Sequence, residues 1–228
     1  MSRFSGIRLI TIFIVFGLMI ILVCPLSLTR VFAETSYKLT VYVVNYPLMC
    51  FTGRIAGKHV KVVFPAPPDA DPAGWSPDIP TIVAYQKADL ILLNGAGYAK
   101  WIDKVSLPRA NLVDTSAKFK DSYIASTTWL DFDLAAKQAK EVADALSRRE
   151  PGFKEVIQRN YESLEKDLVA LDGKGKEIVA INRKLPIISS HPVYQYPARR
   201  YNLNVKKACT GNPTGSRRGS SCSNSTIS

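Results

Sequence analysis

The chain has 228 residues, 46% hydrophobic and 21% charged, which excludes wholesale disorder and leaves room for one large or two small domains. Four cysteines are too few for a disulfide scaffold, and the two histidines, His59 and His191, exclude any protein site that needs three. The net charge of +11 collects at the termini: residues 1–33 and 204–228 hold seven basic residues and no acidic one, which leaves 23 basic against 19 acidic residues between them. A nucleic-acid binder shows a continuous basic stripe instead, so no nucleic-acid partner is expected.

In chain order, Arg3 and Arg8 precede an apolar stretch from Leu9 to about Leu28, and Val31-Phe32-Ala33 follows. Basic start, apolar run and small residues before a cut after Ala33 form the pattern of a secretory signal peptide, residues 1–33. The run is long enough that an uncleaved membrane anchor is the alternative. Lipid attachment at Cys24 is disfavoured by the bulky Val23 before it. The rest of the chain is therefore expected outside the cytoplasm, in the periplasm or tethered at the membrane. Strands are expected at Lys38–Val44, His59–Phe64, Asp89–Leu93 and Asn111–Val113, with helical segments at Met49–Ala56 and Pro80–Lys87 between them. That alternation predicts an α/β lobe over residues 34–150, a parallel sheet with helices on both faces. Ligands of such sheets bind at the carboxyl ends of strands, where the loop Pro65–Pro77 leaves the second strand with five prolines in thirteen residues.

Leu134, Gln138, Val142, Ala145 and Leu146 trace one face of a helix over Asp133–Arg149, with Asp131 or Asp133 as its cap. A long linking helix is expected over 151–172, with Phe153, Ile157, Leu164, Leu168 and Leu171 in its stripe and Asp172-Gly173-Lys174-Gly175 ending it. One strand, Leu185–Ser190, then delivers His191, and a short helix Tyr194–Tyr201 follows. Residues 173–204 are thus the start of an incomplete second α/β lobe, too small to bury a core of its own. Residues 205–228 hold only Val205, Ala208, Cys209, Cys222 and Ile227 from the apolar set and read as an aberrant or disordered tail.

Asp69–Pro77, Ala88–Gly95, Trp129-Leu130-Asp131 with Ala139–Leu146 and Pro151, and Ser190–Tyr196 with Arg199-Arg200-Tyr201 occur in an order that resembles the periplasmic substrate-binding components of zinc/manganese ABC transporters. The resemblance covers about Tyr37 to Asn204. It implies two α/β lobes joined by one long helix, a zinc or manganese ion in the cleft, a permease in the cytoplasmic membrane as partner, and a monomer. Position by position, the first histidine ligand of the family falls on Ala73 and the second on Thr127; the third matches His191, and the late carboxylate lies beyond the matched region. His191 is therefore the leading metal candidate, and Asp69, Asp71 and Asp131 are further oxygen donors. Asp131 has a competing reading as a helix cap. Trp75 and Trp129 read as packing residues, and His59 as a surface residue. Back-translated and read one base earlier, Ala208–Gly215 permits a Trp-Glu-Pro element like the one expected next in the family. The tail is then expected to be frame-shifted, and its cysteines accidental.

Three other functions compete. A binding protein of the same fold for a ligand other than zinc fits Ala73 and Thr127. A truncated product would have no function. An enzyme is disfavoured: there is no nucleophile elbow or phosphate loop, Asn94-Gly95-Ala96-Gly97 is too short for a dinucleotide fingerprint, and Cys50, in the apolar run Leu48–Phe51, reads as buried.

Overall fold

The computed structural model describes residues 39–122, 124–189 and 193–207. The expected signal peptide, Cys24, His191 and the part of the expected tail beyond Lys207 lie outside those residues. Strand β1 (Leu39–Val43) is followed by helix α1 (Tyr46–Ala56), β2 (Val60–Val63), α2 (Ile79–Gln86), β3 (Leu90–Leu93) and β4 (Leu112–Asp114). Helix α3 (Phe132–Arg149) and the long α4 (Lys154–Ile181) come next, then β5 (Ile187–Ser189), α5 (Gln195–Tyr201) and β6 (Val205–Lys207).

The first sheet is parallel throughout, in the order β2-β1-β3-β4. Val41 pairs with Val62 on one side and Leu90 on the other. Leu39, Val41 and Val43 are buried on one face of β1. Tyr42 alternates with them onto the other face and meets Tyr85 of α2, ring centroids 4.7 Å apart. Tyr85 is fully buried, and its hydroxyl donates to the Val43 carbonyl at 2.9 Å. Helices α1, α3 and α4 pack on one another and share one apolar core with the sheet. In α3, all five residues of the expected stripe are buried, Gln138 among them.

Local chemistry sets the helix ends. Asn45 accepts from the Leu48 amide at 3.0 Å ahead of α1, and Asp78 from the Thr81 amide at 2.9 Å ahead of α2. Gly57, at φ 57°, closes α1 in a conformation that favours glycine.

Several expectations are corrected. Helix α4 does not stop at Asp172–Gly175 but runs on to Ile181, 28 residues spanning about 42 Å at 1.5 Å per residue. Gly175 is there for close approach: a Cβ on it would lie 2.9 Å from the Tyr201 ring. Leu171 is 46% exposed, whereas its neighbour Asp172 turns inward to an arginine. Cys50 is exposed, because α1 buries Leu48, Phe51, Thr52 and Ile55 and turns position 50 outward. His59 is half-buried and stacks on Phe153, ring centroids 4.2 Å apart. The second lobe contains two strands rather than one: Val205–Lys207, assigned to the tail, form β6 and pair in parallel with β5, Ile187 beside Val205. Among the described residues no helix is long and apolar enough to cross a membrane.

Candidate metal site at the switch point of the sheet

From β1 the chain passes to β2 on one side and then to β3 on the other, so the strand order reverses between β1 and β3. A crevice forms outside the carboxyl ends of strands at such a point. Asn45 follows β1 there, and Asn94 follows β3. Both are 1% exposed, and Asn45 Nδ2 donates to Asn94 Oδ1 at 3.0 Å. Asn94 Nδ2 donates to the Ser126 carbonyl at 2.9 Å, which draws the loop ahead of α3 over the sheet. Gln138 Nε2 donates to Asn94 Oδ1 at 3.2 Å and to Thr115 Oγ1 at 3.0 Å, and Thr128 Oγ1 donates to Gln138 Oε1 at 2.9 Å. The network is buried and each of these groups has a partner, the condition under which buried polar residues rigidify a site. Gly95, at φ 73°, lets the turn after β3 press onto Asp114 and Ser116, where any side chain would collide with both.

Ring contacts tie neighbouring loops together. Tyr98 stands edge-on to Trp129, centroids 5.4 Å apart. Burial first and the Asp71 carboxylate second push the Tyr98 phenol up to about 12. Asp71 is exposed on the loop between β2 and α2. Its Oδ1 accepts from the Ala73 amide at 3.0 Å, and its carbonyl accepts from the Gly74 and Trp75 amides, so the carboxylate organises its own loop. Asp69 is exposed on that loop. Trp75 packs edge-on to Trp101, centroids 6.4 Å apart.

Asp131 has partners of its own. It is 5% exposed, and its Oδ1 caps α3 by accepting from the Asp133 amide at 3.0 Å and the Leu134 amide at 3.4 Å. The same oxygen accepts from Arg200 Nη1 at 2.9 Å. Arg200 also grips Asp172 with two nitrogens, at 2.5 and 2.9 Å, and Tyr201 and Lys176 complete the Asp172 carboxylate. Hydrogen bonds from Arg200, ahead of those from Lys176 and Tyr201, hold Asp172 far below the usual carboxylate range. Thr127, where the resemblance places a histidine, donates from Oγ1 to the Val193 carbonyl at 3.1 Å.

Asp69 and Asp71 are thus both exposed on one loop, and Asp131 is a cap and ion-pair partner. Among the described residues, no three His, Cys, Asp or Glu side chains converge on a point that holds a metal. Sequence reasoning missed the Asn45–Asn94–Gln138 floor and the Arg200 cluster. Gln138 signalled the first, as a polar residue inside an apolar helical stripe. Asp172 signalled the second, as a carboxylate adjoining the stripe of α4.

The family model described as "ZnuA: Zinc-uptake complex component A periplasmic" matches residues 41–222. The metal ABC transporter substrate-binding lipoprotein SloC of Streptococcus mutans is 27% identical over 210 residues, covering 81% of this chain and 68% of that protein. The manganese ABC transporter substrate-binding lipoprotein PsaA of Streptococcus pneumoniae is 24% identical over 225 residues, covering 89% and 70%. The high-affinity zinc uptake system protein ZnuA of Bacillus subtilis is 23% identical over 209 residues, covering 81% and 66%. This chain therefore spans about two thirds of these relatives' lengths. Among solved structures, the metal-dependent lipoprotein YcdH of Bacillus subtilis superposes with a TM-score of 0.69 at 24% identity, covering 75% of this chain and 67% of that one. The Zn(II)-bound ZnuA-like domain of Streptococcus pneumoniae AdcA gives 0.68 at 21% identity, with the same coverage.

Proposed function

This chain belongs to the periplasmic zinc-uptake component A family, and on that membership we propose that it is the metal-capturing component of an ABC importer. Zinc or manganese is its substrate, and the permease in the cytoplasmic membrane is its partner. The observation that carries the reading is the family match over 41–222 on a fold whose crevice lies at the sheet switch point. We assign the ion's nitrogen ligand to His191, which follows β5, and an oxygen ligand to Asp71, with Asp69 two residues before it. Asp131 is left out of the ligand set, since the carboxylate already caps α3 and holds the guanidinium. Capture and release need no catalytic residue, so the protein is not an enzyme. It works as an exported monomer, with no nucleic-acid partner.

One observation favours a second reading, a binding protein of the same fold for another ligand. Thr127 stands where the resemblance places a histidine, and its hydroxyl is committed to the Val193 carbonyl.

Thermal melts of the chain with and without zinc chloride or manganese chloride separate the readings. At a metal concentration 100-fold above Kd, linkage adds about 2.7 kcal/mol, which for a chain of this size raises Tm by about 5–10 °C. That rise, lost in His191→Ala, is the expected result. A cooperative melt that ignores both metals selects the second reading. A melt with no cooperative transition means that the incomplete second lobe leaves the product without function.

A further inference from the structure

We propose that Thr127, Tyr196 and Arg200 form a latch that holds α5 and the residues leading into it against the first lobe in the absence of any ligand. The three ties all join the stretch 124–131, ahead of α3, to the stretch 193–200. Thr127 Oγ1 donates to the Val193 carbonyl at 3.1 Å. The Tyr196 hydroxyl donates to the Ala125 carbonyl at 3.0 Å and accepts from the Ile124 amide at 3.3 Å, so it is used as donor and acceptor at once. Arg200 bridges two carboxylates from different elements: Asp131 at the start of α3, and Asp172 within α4.

Burial makes these ties costly to break. Tyr196 is 0% exposed, and the Asp131 and Asp172 side chains are 7% and 10% exposed. Lifting α5 from the first lobe would leave two buried carboxylates short of their cation and a buried phenol without a partner. Uncompensated groups of this kind are disfavoured far more than the paired state is favoured. Every tie in the latch runs directly from one protein group to another. The residue at a family ligand position has become a strut between lobes, and the crevice is preorganised before anything enters it. The latch stands independently of which ligand the protein carries.

Hydrogen-exchange mass spectrometry on the full chain tests it, with and without zinc chloride. In the metal-free wild type, backbone amides of residues 194–201 are expected to be protected, and zinc adds little there. Thr127→Val, which keeps the side-chain shape and loses the hydroxyl, speeds exchange in that stretch by about five- to tenfold, the scale of one hydrogen bond lost, and Tyr196→Phe, which loses two, speeds it by at least as much. Thr127→Ser, which keeps the hydroxyl, restores the wild-type rate. The latch is overturned if metal-free wild type exchanges there at open-chain rates and slows only with zinc. It is equally overturned if Thr127→Val and Tyr196→Phe match the wild type, or if they speed exchange in β1 and β3 as much as in α5. A failed metal-dependent melt leaves all three readouts intact.

Discussion

A glycine inside a helix costs about 1 kcal/mol relative to alanine, and α4 carries two, Gly173 and Gly175. Their surroundings differ. Nothing lies within 4 Å of a Cβ built on Gly173, whereas one on Gly175 meets the Tyr201 ring, whose hydroxyl is tied to Asp172 at 3.0 Å. Gly173→Ala is therefore expected to stabilise the protein by up to about 1 kcal/mol. Gly175→Ala is expected to destabilise it by about 1–3 kcal/mol, the range for overpacking. Urea midpoints of the two variants should move in opposite directions. Asp172 supplies a second expectation at this scale. Its folded pKa is depressed, chiefly by the Arg200 hydrogen bonds, so the stability it contributes is complete above the unfolded carboxylate pKa of about 3.9 and is lost as pH falls below that. Asp172→Asn should thus be markedly less stable than wild type at neutral pH, and the gap should narrow progressively below about pH 4. Denaturation curves at a series of pH values check the sign. Both residues stood in plain view in the sequence, and both were read as the end of a helix. Glycine does break helices more often than it admits a ring, and only the fold reveals that Tyr201 arrives from outside the helix.

Elements were more legible than single residues, because periodicity reports a face rather than a partner. Four β-branched or leucine-rich runs became β1 to β4 within a residue or two, and the stripe of α3 is buried in full. Gln138 shows both the strength and the limit of that pattern. Its spacing placed it correctly in the core, but nothing in its spacing told that it would hold Asn94, Thr115 and Thr128 together. Gln138→Leu keeps the apolar stripe and strips those three of a partner. Each buried polar group left unpaired costs about 1–3 kcal/mol, so a loss of about 2–5 kcal/mol is expected by chemical denaturation. The isolated variant Thr128→Val removes one donor and should cost less. Strand β6 escaped notice for a related reason. Three residues, Val205-Lys206-Lys207, carry too little pattern to mark a strand, and their assignment depends on β5 lying alongside.

At the scale of the molecule, the two sheets differ in how they are covered. The four-stranded sheet is enclosed in one continuous core, whereas Ile178, Ile181, Leu185 and Ile188 are 62–85% exposed around the end of α4 and the entry to β5. Backbone without such cover opens first. Within residues 39–207, trypsin is accordingly expected to cut first at Arg183 or Lys184, both exposed in the turn between α4 and β5. Mass spectrometry of the early fragments identifies the site, and an earlier cut between β1 and β4 would contradict the assignment. The same contrast explains what sequence reasoning about the site achieved. It found the strands and the parallel sheet, because local pattern marks each strand. It did not find the Arg200 cluster, whose members come from three helices or helix ends and share no local motif.

The long helix α4 also sets a timetable. Ile55 in α1 accepts from Asn160 of α4 across 105 residues, and Arg54 pairs with Asp167 across 113. A polypeptide that emerges amino-terminus first, from a ribosome or a translocation channel, offers α1 no such neighbour until α4 has followed it out. Up to that moment the sheet lacks one wall of its core and the nascent chain stays pliant enough to be threaded. Once α4 has emerged, the whole first lobe can lock in a single step.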